Sequence, residues 1–324
     1  MGEVAMERAD QASNEQTALA GGAVLTTVRG GPGPTVALLG GVHGDEDEGV
    51  LAVLRVVREL AGAPLAGTVR AVARAHAAAW AAGSRTGPLD GGNLARCFPG
   101  DPKTGPTAGV AASITESVID GADVLIDLHS AGVAYRMPLF CGFIRDAGDA
   151  EGSSRAATAF GAPLIWAHSG APPGRSLSVA ADLGIPAVYA ECGGGGGIRG
   201  EHLDAYTRGV LGVLAEFGLL PPSWRPPEPA ATTWVYDGGG DLDAGVLAAH
   251  DGFFVSAVDA GERVTPGAEI GRLHGYDGAL LETVTAPAAG MVMFLRRRAR
   301  TRAGDVLFAL AGLDDGGLGD GAGA

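Results

Sequence analysis

The rhythm of apolar and polar positions changes once along the chain. From Ala23 to about residue 218, short β-rich runs alternate with helical stretches. Ala23–Val28 and Thr35–Gly41 read as strands. Glu46–Leu60 carries Val50, Leu51, Val53, Leu54, Val57 and Leu60 close to a helical period. Gly67–Ala75 reads as a strand, Thr107–Ile119 as a helix, and Ala122–His129 as a buried strand ending in polar residues. Met137–Phe143, Ala162–His168 and Ile185–Glu191 add strands, and Leu177–Leu183 and His202–Phe217 add helices. This alternation predicts an α/β fold, a mostly parallel or mixed sheet flanked by helices.

The pattern breaks at Leu219–Ala230, where Pro221, Pro222, Pro226, Pro227 and Pro229 mark a linker. Beyond it, Gly252–Leu273 and Glu282–Leu295 are short alternating strands joined by Gly, Pro and Asp turns, which predicts a small all-β module. The expected organisation is a disordered arm over 1–20 and an α/β domain over 21–218. A linker over 219–232, a β module over 233–313 and a low-complexity disordered tail over 314–324 complete it.

Composition narrows the function classes. Hydrophobic residues at 46% and charged residues at 19% fit an ordinary globular chain. A net charge of −14 argues against a nucleic-acid footprint, which needs clustered Lys and Arg. The basic stretch Arg296–Arg302 reads as a solvated turn. Cys97, Cys141 and Cys192 form no CxxC pair, which suits a reducing cytosol. The polar, acidic start does not read as a signal peptide, and no apolar run reaches the roughly 20 residues of a membrane span. A cytoplasmic protein is the expectation. The pattern is silent on whether the chain forms a homo-oligomer.

Polar clusters collect at the expected carboxyl ends of strands, where open α/β sheets carry their sites. His43 and Glu46 follow one strand, Asp127–Ser130 a second, and Glu191 with a glycine run a third. A catalytic zinc takes three protein ligands and leaves a position open. His43, Glu46 and His129 can supply them, with Asp127 orienting an imidazole. An HxxE pair can equally be a polar helix start, and Asp45, Asp47 and Glu48 are read in that way. Glu191, apolar strand behind it, is the candidate general base, although an acid at a loop edge has the same appearance. Arg85 and Arg96 sit in a loop-like stretch, where a guanidinium can clamp a carboxylate or face an oxyanion.

Taken in order, GGxHGDE (Gly40–Glu46), Arg85…Asp90…"NLARCFPG" (Asn93–Gly100), DLHS (Asp127–Ser130) and the strand ending Glu191-x-Gly-Gly resemble the succinylglutamate desuccinylase/aspartoacylase family. The likeness runs from about Val24 to Leu313 and extends to N-acyl-diaminobutyrate deacetylase-type members. It implies a zinc carboxypeptidase-like fold with a C-terminal barrel-sandwich module. It implies one zinc ion per chain held by His43, Glu46 and His129, and Glu191 as acid/base. Arg85 then polarises the scissile carbonyl and Arg96 binds the substrate's carboxylate. The implied partner is a small N-acylated amino acid, hydrolysed at its amide bond, with no nucleic acid and no membrane. One position departs from the family pattern: Ala95 stands where an Asn usually shares the carboxylate, and Asn93 is the nearby candidate to replace it. His76 likewise replaces a common Asn. Two other readings remain, a carboxypeptidase acting on short peptides and a non-catalytic metabolite-binding protein. Tyr135, Arg136, His168 and Arg175 are candidates for reading specificity.

Overall fold

The computed structural model describes residues 13–227, 231–237 and 242–313. Its first half alternates strands and helices: β1 Ser13–Ala18, β2 Val24–Arg29, β3 Gly31–Gly40, α1 Asp47–Leu60, β4 Ala66–Val72, α2 Ala77–Ala81, α3 Pro106–Ile114 and β5 Val124–Leu128. There follow β6 Tyr135–Arg136, β7 Phe140–Ile144, α4 Ala150–Phe160, β8 Leu164–His168, α5 Ser176–Asp182, β9 Ala187–Glu191 and α6 Gly200–Glu216. The remainder is β-rich: β10 Thr233–Tyr236, β11 Val246–Leu247, β12 Gly252–Ser256, β13 Arg263–Val264, β14 Glu269–His274, β15 Leu280–Thr285, β16 Gly290–Arg296, β17 Arg300–Thr301 and β18 Val306–Leu313.

The main sheet is mixed and runs β1-β2-β4-β3-β5-β9-β7-β8-β10-β18-β16-β13, and a smaller sheet runs β15-β14-β12-β17. The strands β4, β3, β5 and β9 are mutually parallel, and β7 joins β9 antiparallel. Helices cover both faces, as a largely buried sheet requires. On one face Leu38, Ile126 and Val188 pack against Val53 and Val56 of α1, Phe160 of α4 and Val210 of α6. On the other, Leu39, Leu125, Phe140 and Trp166 pack against Ile114 of α3 and Leu177 of α5. Each of these aliphatic burials contributes about 1.5–3 kcal/mol. The last turn expected of α3 winds into a π-helical segment, Thr115–Ile119.

Two sequence expectations change. The arm expected to be disordered to residue 20 is ordered from Ser13: β1 pairs antiparallel with β2, Ser13 opposite Arg29 through Ala18 opposite Val24. All six of its side chains are exposed, so its order comes from backbone hydrogen bonds and leaves no apolar alternation to read. The expected disordered tail, 314–324, and residues 1–12 lie outside the described residues. The proline-rich stretch also starts inside the core, with Leu219 and Leu220 buried. β10 then pairs parallel with β8 and antiparallel with β18, which carries the α/β sheet into the β module without a break. Met293 and Phe294 of β16 share the core cluster of Trp166. A separate core holds the module itself, around Phe254, Ile270, Leu273, Leu307 and Phe308.

The turn from β3 into α1 is closely packed. Gly41 has φ 64°. A Cβ at Gly44 would overlap the backbone of Ala79 and Trp80, and one at Gly49 would overlap the carbonyl of Leu128. These contacts set α1 hard against α2 and the end of β5. Gly44→Ala is therefore expected to cost about 1–3 kcal/mol, seen as a lower urea midpoint at unchanged m.

Candidate active site

The register of the sheet brings three loops to one place. Gly40 of β3 lies opposite Leu128 of β5, and Leu128 lies opposite Ala190 of β9. The next residues out are the His43 turn, His129 and Glu191. The His129 amide donates to Ala190 O at 2.9 Å, which fixes the last two side by side.

His43, Glu46 and His129 are buried, and one ligand-type atom from each lies within 4.8 Å of the others. Glu46 stands at the N-cap of α1 but makes no side-chain cap. Its Oε1 lies 2.8 Å from His43 Nδ1 and its Oε2 3.0 Å from His129 Nδ1. His43 Nδ1 makes no hydrogen bond despite that approach, and it is buried. A nitrogen left this way beside a carboxylate and a second imidazole fits a metal, and the two-His, one-Glu donor set is one that catalytic zinc uses. Electrostatics agree at His43 and Glu46, whereas at His129, where burial opposes a charge, Asp127 and Glu46 raise the pKa well above the ordinary imidazole range, so a metal would displace a proton there. Burial lowers His43 to about 4, so it is neutral, the ligating form, at neutral pH. Burial opposes ionisation of Glu46, but His43 and His129 hold it well below the usual carboxylate range.

The outer faces of both imidazoles are tied down, which fixes the ring orientations. Asp127 Oδ1 lies 3.2 Å from His129 Nε2, and Ser176 Oγ donates to Asp127 Oδ2. His43 Nε2 is 3.1 Å from Asn93 Oδ1, which also accepts from Ala95 N at 3.1 Å. Asn93, expected to contact substrate, thus turns its Oδ1 toward an imidazole and caps the turn that carries Arg96. Asn93→Ala should weaken zinc binding by roughly 10-fold or more, read by competition with a chromophoric chelator.

Glu191 lines the same cavity as His43, His129 and Arg85. Its Oε2 is buried without a hydrogen-bond partner, and burial raises its carboxyl well above the ordinary value. Arg85 Nη1 donates to Glu46 Oε1 at 3.0 Å. Arg96 and Arg175 also line the cavity, with Ala95, Leu242 and Phe294 among its apolar lining. The cavity measures about 80 Å³. His168 also lines it, buried, with Nδ1 2.9 Å from Gly170 O. Tyr135 belongs to a small adjoining cavity with Glu191, while Arg136 lies outside both and pairs with Asp259 at 3.0 Å.

Several supports escaped the sequence reading. Glu48, taken for a polar helix-start residue, is 3% exposed and accepts from Ser130 Oγ at 2.8 Å. Ser130 N in turn donates to Glu46 Oε2 at 3.2 Å, so Glu48 stands behind the Glu46 anchor. Asp45 also turns inward, accepting from Val133 N at 3.2 Å, whereas Asp47 bonds Trp80 Nε1 at 2.8 Å near the surface. Tyr206 OH donates to His129 O at 2.6 Å from the apolar stripe of α6, where nothing in the sequence distinguishes it. His76 is buried, accepting from Ala79 N at 3.3 Å and facing Thr107 Oγ1 at 3.2 Å. Asp90 completes this support by accepting from Thr107 Oγ1 at 2.7 Å.

Comparison with known proteins places the arrangement. Residues 32–217 match the succinylglutamate desuccinylase/aspartoacylase catalytic domain. The chain is 33% identical over 309 residues to the N-alpha-acetyl-L-2,4-diaminobutyric acid deacetylase of Halomonas elongata, covering 92% of this chain and 88% of that one. The product-bound structure of the ectoine utilization protein EutE from Ruegeria pomeroyi aligns with a TM-score of 0.78 at 28% identity, over 89% of this chain and 88% of that one. A succinylglutamate desuccinylase/aspartoacylase structure from Rhodobacter sphaeroides aligns with a TM-score of 0.80 at 28% identity, over 94% and 95%. Among the described residues no helix is long and apolar enough to cross a membrane. On sequence and fold together, the chain belongs to the succinylglutamate desuccinylase/aspartoacylase family of amidohydrolases.

Proposed function

We propose that this chain is a zinc-dependent deacylase that removes the acyl group from the nitrogen of a small N-acylated amino acid. An N-acetylated diamino acid, named by the Halomonas relative, is the first candidate substrate. One observation carries the reading. His43 and His129, clustered with Glu46, line a single cavity together with Glu191, whose Oε2 is buried without a hydrogen-bond partner.

His43, Glu46 and His129 would hold the ion. A zinc ion held there would supply Lewis acidity and make water a stronger acid. Glu191 Oε2 takes a proton from the attacking water and returns it to the leaving nitrogen. Its raised affinity for a proton, set by burial, suits a group that must hold one between those two events. Arg85 stabilises the negative charge that develops on the carbonyl oxygen. Arg96 orients the substrate through its carboxylate. Leu242 and Phe294 of the β module add apolar surface to the cavity. The same wall disfavours a carboxypeptidase reading, because residues of the C-terminal half take up space beside the site that a longer peptide would need.

The test is amine release from Nα-acetyl-L-2,4-diaminobutyrate, other N-acetyl amino acids, and blocked di- and tripeptides. Turnover of the acetyl amino acids with none of the peptides is the expected result. Faster release from the peptides would move the assignment to a peptidase.

A further inference from the structure

Arg96 does not face an open cavity alone. Its Nε and Nη2 each lie 3.1 Å from an oxygen of Asp243, Oδ2 and Oδ1, in a two-bond fork. Arg175 Nη2 donates to the same Oδ2. Asp243 comes from the short 3-10 turn Leu242–Ala244 just ahead of β11. Its neighbour Leu242 lines the cavity together with His43, Arg96, Arg175 and Glu191. One turn of the C-terminal half therefore supplies both part of the cavity wall and a carboxylate on both arginines.

A fork of two parallel N–H···O bonds is how an arginine holds a free carboxylate. Asp243 makes that arrangement from within the chain. The exposures are unequal: the Asp243 side chain is 57% exposed, Arg96 25% and Arg175 15%. The arginines are the fixed partners, and the aspartate can leave by turning into water.

We propose that Asp243 is a specificity-determining residue, an internal carboxylate that holds the Arg96–Arg175 clamp until a substrate carboxylate displaces it. This rests on Arg96 being the carboxylate arginine, as read above. A ligand with a carboxylate exchanges one anion for another and restores both arginine contacts. A neutral ligand would have to break three charged hydrogen bonds and return none. Leu242, on the same turn, shifts as Asp243 leaves, so the cavity wall opens for carboxylates alone. The occupied clamp lowers apparent affinity by the fraction of molecules in which Asp243 is seated.

The test is calorimetric titration of the zinc-loaded full chain with L-2,4-diaminobutyrate and with its α-carboxamide. Neither carries an N-acyl group to hydrolyse, so binding is read without turnover. Asp243→Asn keeps the shape and removes the charge. It should tighten carboxylate binding about ten-fold and the carboxamide, which then has no charged bonds to Asp243 to break, at least as much, so that the preference for the carboxylate narrows. Asp243→Glu, which keeps a competing carboxylate, should stay near the unmodified protein. Carboxylate binding that is unchanged or weaker in Asp243→Asn overturns the proposal, the weaker case meaning that Asp243 only positions the arginines. Arg96→Gln separates the two layers. It should weaken carboxylate binding at least about ten-fold, and if it does not, the reading of Arg96 fails and takes the Asp243 proposal with it.

Discussion

Glu191→Gln is expected to lower kcat on an N-acetyl amino acid by roughly 10³–10⁴-fold, with zinc content unchanged. The carboxamide fills the same space but can neither accept the proton of water nor hand one to the leaving nitrogen. Glu191 Oε2 has no hydrogen-bond partner to lose, so the substitution should leave stability within about 0.5 kcal/mol. KM should hold, because the proposed role of Glu191 is on the water and the leaving group rather than on the substrate's anchoring groups. A residual rate within about ten-fold of the unmodified enzyme would remove Glu191 from the chemistry. Elemental analysis of the same sample distinguishes this from a lost metal.

The second large effect is at His129. His129→Ala should abolish both stoichiometric zinc and measurable turnover. It removes one of the three proposed ligands and the partner that two carboxylates share, Glu46 at 3.0 Å and Asp127 at 3.2 Å. Burial opposes a charge on His129, but Asp127 and Glu46 raise its pKa well above the ordinary value. In the metal-free protein the substitution removes a cation from between two buried acids, at a cost of about 3–5 kcal/mol, so the urea midpoint of that form should fall as well. His129→Gln, which restores a hydrogen-bonding side chain without an imidazole, should recover part of the stability and none of the zinc. Full zinc content in either variant would contradict the ligand assignment.

Much of this site is legible in the sequence because its parts obey local rules. His43 and Glu46 sit three apart where an apolar strand turns into a helix, and His129 and Glu191 each end an apolar strand. Strand ends converge when the strands are neighbours, and β3, β5 and β9 are neighbours. The supporting residues follow no such rule. Glu48 looks like any acid at a helix start. Its burial follows from the close approach of Gly49 to Leu128, a tertiary contact with no local signature. Asn93 stands beside the substituted position 95, which invites a substrate role, yet the turn it caps aims Oδ1 at His43. Asp243 meets Arg96 across 147 positions, from a glycine- and aspartate-rich turn that reads as surface. The α/β pattern was equally clear, while β1 was hidden because a strand exposed on both faces alternates nothing.

The most direct measurement is the rate of acetate release from Nα-acetyl-L-2,4-diaminobutyrate before and after metal removal, with zinc counted on the same samples. The account predicts one zinc per chain in the active protein, no turnover after chelation, and recovery on adding one equivalent of zinc. Full activity in verified metal-free protein, or no turnover of any N-acyl amino acid by the zinc-loaded chain, would contradict it.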